Sequence, residues 1–146
     1  MIELRYPDTT PKTRSQAGTR EVFDPVRRQW VHLSPEEWVR QQFLQLLTET
    51  HQYPASLIAV EQSISLGALQ KRCDILVYDR LHQPWMMIEC KAQTVALDEG
   101  VLEQLLRYNM SVPVRYLLIT NGSFCMGWER DGKTAVSLQK MPAFTV

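Results

Sequence analysis

The alternation of apolar and polar positions divides the chain into a polar opening, two helices and a series of strands. Residues 1–20 (MIELRYPDTTPKTRSQAGTR) are polar with little periodicity and read as an extended or mobile arm with room for a short strand. Residues 21–26 and 29–33 alternate around Asp24-Pro25 and the Arg27-Arg28 pair, which predicts a hairpin. Ser34-Pro35-Glu36-Glu37 marks a helix start. Ser34 suits the N-cap, Pro35 the first helical position, and Glu37 the far side of a capping box. Val39, Phe43, Leu46 and Leu47 follow at helical spacing, and Tyr53-Pro54 sets the end of this helix at residues 49–51.

Beyond the first helix the pattern turns to strands. Residues 57–66 predict one bent strand ending at Gly67, and residues 73–78 the next, with a breaker-rich turn over 79–84. Residues 85–92 (WMMIECKA) are apolar on both faces apart from one acid and one base, the signature of a central strand. Residues 98–110 predict a second helix, capped by Asp98 or a neighbour, with Val101, Leu102, Leu105, Leu106 and Tyr108 on its buried side. Residues 114–120 form a strand ending at the turn signal Asn121-Gly122, and residues 124–129 and 134–138 a last pair. The order predicts an α/β fold, a mixed central sheet flanked by helices. The expected organisation is an arm over 1–20 and a single domain over 21–146.

Composition narrows the class. The 146 residues are 45% hydrophobic and 22% charged, as in ordinary globular domains. No apolar run approaches the roughly 20 residues that cross a bilayer, and the start lacks the pattern of a signal peptide, so no membrane and a cytoplasmic setting are expected. Cys73, Cys90 and Cys125 are odd in number and widely spaced, and His32, His51 and His82 lie far apart, which argues for reduced thiols and against a zinc site. The net charge is zero. Any grip on nucleic acid therefore rests on a local patch, a partner subunit or metal-bridged phosphates rather than on the overall field.

The chemistry concentrates in Asp74 and Glu89-Cys90-Lys91. Glu89 and Lys91 are two residues apart on a strand and share a face. Charges inside an apolar central strand are costly to desolvate without a partner. A hairpin between this strand and the one that carries Asp74 brings the two carboxylates together. Converging carboxylates repel, and a hard cation such as Mg²⁺ or Mn²⁺ relieves the repulsion, with the Cys90 carbonyl as a further ligand. Lys91 then orients a metal-activated water or neutralises a pentavalent phosphate. The competing reading is a strand-surface Glu89–Lys91 ion pair with Asp74 capping a turn.

Other cues point the same way, each with a plain structural alternative. Gln104 and Tyr108 lie at i and i+4 and project together toward a DNA phosphate or the lysine, or else pair an exposed Gln with a core Tyr. Glu37 is either a metal-site acid reaching the sheet or the capping-box partner. Arg40 is placed to approach a phosphate backbone or solvent. Glu61 reads as structural. Arg27, Arg28, Lys71 and Arg72 are candidates for local positive charge.

These residues resemble a known family, the N-terminal nuclease domain of type I restriction enzyme R subunits within the PD-(D/E)xK superfamily. The resemblance rests on Leu33-Ser34-Pro35-Glu36-Glu37-Trp38-Val39-Arg40-Gln41, Lys71-Arg72-Cys73-Asp74-Ile75 and Met87-Ile88-Glu89-Cys90-Lys91-Ala92, in that order. It continues through Gln104-Leu105-Leu106-Arg107-Tyr108-Asn109 and Leu118-Ile119-Thr120-Asn121-Gly122. It implies a restriction-endonuclease-like fold and a Mg²⁺-dependent DNA nuclease core. Asp74 and Glu89 would hold metal, Lys91 would be catalytic, and Gln104 and Tyr108 would form a Q-x3-Y element. Glu37 would match the first-helix acid. The sequence departs from the pattern at Cys73, where the superfamily name has proline. It also contains no GxxxxGK[ST] loop, so DNA translocation is not expected of this chain. The implied partners are DNA, a second copy, or a separate motor or specificity subunit. The alternative function is a catalytically inactive DNA-binding or assembly domain that keeps the nuclease fold.

Overall fold

Helix α1 (Pro35–Gln45) begins where the capping chemistry requires, with Ser34 Oγ accepting the Glu37 amide at 3.0 Å. The computed structural model describes residues 1–144; the last two residues of the expected domain lie outside the described residues. The second bond of the expected capping box is replaced. The Glu37 side chain turns to Arg27, Arg40 and Gln41 instead, because a buried carboxylate gains more from cations than from one amide. After Gln45 the helix widens into a π-helical turn, Leu46–Thr50, closed by the His51 amide on the Leu46 carbonyl at 3.1 Å.

A six-stranded sheet runs in the order β4 (Ile58–Leu66), β5 (Leu69–Tyr78), β6 (Pro84–Cys90), β7 (Tyr116–Thr120), β8 (Cys125–Asp131), β9 (Thr134–Ser137). Every neighbouring pair is antiparallel except β6–β7. A parallel pair needs a long crossover, and helix α2 (Glu99–Asn109) lies within it. Strand β6 holds the predicted central place, and Trp85, Met86, Met87 and Ile88 are buried in succession on alternate faces. One core joins Ile75, Val77, Met86, Ile88 and Leu118 to Val39, Phe43, Leu44, Leu46 and Leu47 of the α1 segment. A smaller core joins Leu76, Met87 and Leu117 to Val112 and Val114, with Leu106 of α2 packed against it. The sheet is thus flanked by helices, as the order of elements predicts.

The opening of the chain is tied down rather than loose. Strands β1 (Thr13–Gln16), β2 (Thr19–Asp24) and β3 (Gln29–His32) form a separate antiparallel sheet. Upstream, Ile2 is 2% exposed, and its amide donates to the Cys125 carbonyl at 2.8 Å. Gly127 makes room for it, since a Cβ there would sit 2.7 Å from Ile2 Cδ1.

Two strand boundaries and the burial of one side chain differ from expectation. Strand β5 starts at Leu69 because the β4–β5 hairpin stays paired through the polar stretch before Cys73. Strand β6 stops at Cys90, although the Lys91 amide still donates to Thr120 at 2.8 Å. Tyr108, expected on the buried side of the second helix, is 64% exposed and covers the Lys71 ammonium instead.

Candidate active site

The site forms where the ladder between β5 and β6 ends. Its last pair is Ile75 with Ile88, and the next residues outward are Asp74 and Glu89. There the Cys90 amide donates at 2.8 Å to Asp74 Oδ2, so a side chain takes the place of a main-chain acceptor. On the other side of β5, Val60 pairs with Ile75 and Gln62 with Cys73, which sets Glu61 opposite Asp74. Glu61 has a φ of 53°, a left-handed conformation unusual for a residue with a side chain. This is the bend that the sequence pattern places within the strand. It brings the Glu61 carboxylate to Arg27, Arg40 and Arg72.

Arg40 links the acids of the helix to those of the sheet. Its Nη2 donates to Asp74 Oδ1 at 3.0 Å, and its Nη1 donates to Glu37 Oε1 at 2.8 Å and to Glu61 Oε1 at 3.2 Å. Arg27 joins from the β2–β3 loop, donating to Asp24 at 2.5 Å, Glu37 at 2.9 Å and Glu61 at 3.4 Å. Burial disfavours the Arg40 and Arg27 charges, but the surrounding carboxylates outweigh it and hold both above the usual arginine range. Glu61 is the mirror case. Burial works against its charge, yet Arg40, Arg72 and Arg27 hold its carboxyl below the usual range.

The other half of the site is short of positive charge. Glu89 meets one cation, Lys91 Nζ, at 3.4 Å. Burial, then the Asp74 charge, push the Glu89 carboxyl up to about 7 despite Lys91. Glu36 is also raised, first by burial and then by Asp74. A groove of about 430 Å³ opens beside the Arg40 network, lined in part by Glu36, Glu37, Arg40, Glu61 and Ala92, without Asp74, Glu89 or Lys91 in its wall. The neighbouring thiols are inert. Burial, then Glu89, push Cys73 up to about 11, and Cys90 is raised well above the usual thiol range.

Asp74, Glu89, Lys91, Cys90, Glu37 and Arg40 therefore lie together, with Cys90 contributing its amide to Asp74. Gln104 and Tyr108 do not join them: among the described residues no hydrogen bond or ion pair links either to Asp74, Glu89 or Lys91. Tyr108 gives its carbonyl and its ring to Lys71. Glu36 and the structural part of Arg27 were not expected from the sequence. The available signal was spacing: Glu36 and Glu37 stand four and three residues before Arg40, where helical side chains meet. Among the described residues no three His, Cys, Asp or Glu side chains converge closely enough to be a ready-made metal cluster. Among the described residues no helix is long and apolar enough to cross a membrane.

Comparison with known proteins adds a family. The model of the type I restriction enzyme R protein N terminus matches residues 35–142. No curated protein matches the chain. Among solved structures, a chain in the cryoEM structure of a DrdV–DNA complex is similar at 20% identity with a TM-score of 0.48. The similarity covers 69% of this chain and 10% of that one, so the chain spans about a tenth of its length.

Proposed function

Since the chain belongs to the family of type I restriction enzyme R protein N-terminal domains, we propose that it is a metal-dependent DNA nuclease domain. The observation that carries this reading is the charge imbalance at the end of the β5–β6 ladder. Among the described residues Asp24, Glu36, Glu37, Glu61, Asp74 and Glu89 meet Arg27, Arg40, Arg72 and Lys91, which leaves two negative charges uncompensated when all are ionised. A hard divalent cation, Mg²⁺ or Mn²⁺, fits an all-oxygen site of that charge. The imbalance falls at Glu89 and Glu36, and Glu89 and Asp74 would hold a cation, with the Cys90 carbonyl as a neutral ligand. Bound there, the metal supplies Lewis acidity and an acidified water.

The chain's own residues do the rest. Arg40, anchored by Glu37, fixes the Asp74 carboxylate. Lys91, as an ammonium, would offset charge on the reacting phosphate and orient the attacking water. Gln104, exposed on α2, and the hydroxyl of Tyr108, whose ring covers Lys71, would meet a phosphate of the bound strand. The domain's partners are DNA and a second copy of the chain or a motor or specificity subunit of a restriction system.

The second reading is an inactive DNA-binding or assembly domain, and one observation favours it: both Asp74 oxygens are already engaged, by Arg40 and by the Cys90 amide. A plasmid-nicking assay in Mg²⁺ or Mn²⁺ separates the two. Cleavage by the wild type that falls about 10²- to 10⁴-fold in Asp74→Ala and Lys91→Ala supports the nuclease. DNA binding without cleavage at any metal concentration supports the second reading.

A further inference from the structure

Lys71 is a buried charge without a counter-ion. It is 5% exposed in β5, and among the described residues it forms no ion pair, whereas Arg72 and Asp74 beside it both do. Its contacts go to one residue of α2. The ammonium donates to the Tyr108 carbonyl and lies 3.2 Å from the centroid of the Tyr108 ring. Taking an ammonium out of water is costly, and a neutral carbonyl and a ring return only part of that cost. We infer that Lys71 is a positioning residue: it holds the Tyr108 ring so that the phenol hydroxyl stands ready for a phosphate of the bound strand. This rests on the reading that Tyr108 meets DNA.

The C-terminal end of α2 is its fixed end. Lys71 reaches it from β5, and Arg130 reaches it from β8, donating to the Met110 carbonyl at 2.7 Å and to the Val112 carbonyl. Positive charge is favourable there, where the last carbonyls of a helix lack partners. The rest of the helix sits lightly on the sheet, and among its residues only Asn109 is fully buried. Tyr108 belongs to the anchored turn. An exposed tyrosine ordinarily loses rotamer freedom when it binds a ligand, and a ring already held on a cation has less to lose. Among the described residues the Tyr108 hydroxyl has no hydrogen-bond partner, so its donor is left for a ligand.

The anchor is also tied to the site. Lys71 and Asp74 are three residues apart on β5, about 10 Å along a strand. The charges of Glu89, Asp74 and Lys71 all act on the Cys73 thiol. Asp74 reaches α1 through Arg40, and Lys71 reaches α2 through Tyr108, so one strand holds both helices in register with the candidate metal ligands. A phosphate contact made by Tyr108 is thereby set at a fixed place relative to the Asp74 carboxylate, which is what presents one phosphodiester of a strand rather than its neighbours.

The test is a double-mutant cycle, read by fluorescence anisotropy on a short duplex in EDTA. Tyr108→Phe removes the hydroxyl alone and is expected to weaken binding roughly tenfold. Lys71→Met is expected to weaken it to a similar degree. The double variant is expected to bind within about twofold of Tyr108→Phe, because Lys71 acts through that hydroxyl. Lys71→Arg keeps a cation under the ring and is expected to bind within about threefold of wild type. A lysine that merely supports the fold would weaken binding equally in both backgrounds. A Lys71→Met loss undiminished beside Tyr108→Phe, or no loss at all, therefore overturns the positioning role and leaves the nuclease reading intact. Should Lys71→Met not melt cooperatively, Lys71→Gln, which can keep the bond to the Tyr108 carbonyl, enters the cycle with the same expectation. A wild type that binds no duplex overturns both readings. The expected cycle without cleavage in Mg²⁺ supports the role of Lys71 and overturns the nuclease alone.

Discussion

The two halves of the site treat the same chemical group in opposite ways. Around Arg40, the carboxylates of Glu37, Glu61 and Asp74 share a guanidinium, and Glu61 is held below its ordinary range. A step along the same sheet, Glu89 has one lysine for company and is pushed up to about 7. Burial contributes, since the Glu61 side chain is 35% exposed and that of Glu89 only 16%, but the supply of cations differs as well: three arginines reach Glu61, and one lysine reaches Glu89. A buried network that is fully paired is scaffold, whereas one left short of positive charge stores repulsion that a ligand relieves.

This contrast gives an ordered set of expected effects. The largest is on catalysis: Lys91→Ala, in the poorly compensated half, is expected to lower cleavage by at least 10²-fold while the melting temperature moves little. The next is on stability in the paired half. Arg40→Met leaves three carboxylates around an apolar side chain and is expected to cost about 3–5 kcal/mol in urea unfolding. A loss below 1 kcal/mol would remove the distinction between the halves.

A smaller effect of opposite sign is expected at Glu89. Its carboxyl binds a proton more tightly folded than unfolded, so the folded protein holds more protons between about pH 4.5 and 7. Metal-free stability from this group is therefore present below pH 4.5 and is lost as pH rises toward 7. Glu89→Gln is expected to stabilise the metal-free protein at pH 8 by on the order of 2 kcal/mol, and to flatten its pH dependence. A variant less stable than wild type at pH 8 would place Glu89 in the paired half. The smallest effect belongs to an ordinary surface pair. Arg107→Ala, which breaks the exposed pair with Glu103, should change stability by no more than about 0.5 kcal/mol.

The legible parts of the fold were those governed by local rules. Ser34-Pro35 fixed a helix start, Asp98 capped α2 by accepting the Val101 amide at 2.9 Å, and the two-faced apolar run of β6 announced a central strand. Boundaries set by pairing with a distant strand were not legible. The polar residues before Cys73 carry no strand pattern of their own and are held by β4. Tyr108 was misassigned because an aromatic at helical spacing looks like core, while a buried lysine nearby offered it a different use. At the site, the spacing of Glu89 and Lys91 and the charge in an apolar strand pointed to the place where these acids and arginines meet. The division between paired and unpaired acids was hidden. It depends on Arg27 and Arg40 arriving from elements far apart in sequence, and on Glu36 rather than its neighbour remaining without a cation.

The claim that the under-compensated half is a cation site is tested most directly by Mn²⁺ titration at pH 8, read by electron paramagnetic resonance, on the wild type, Glu89→Gln and Asp74→Ala. The account expects tight binding of Mn²⁺ by the wild type, weakened at least tenfold in both variants. Binding of equal strength in all three proteins, or none in the wild type, would contradict it.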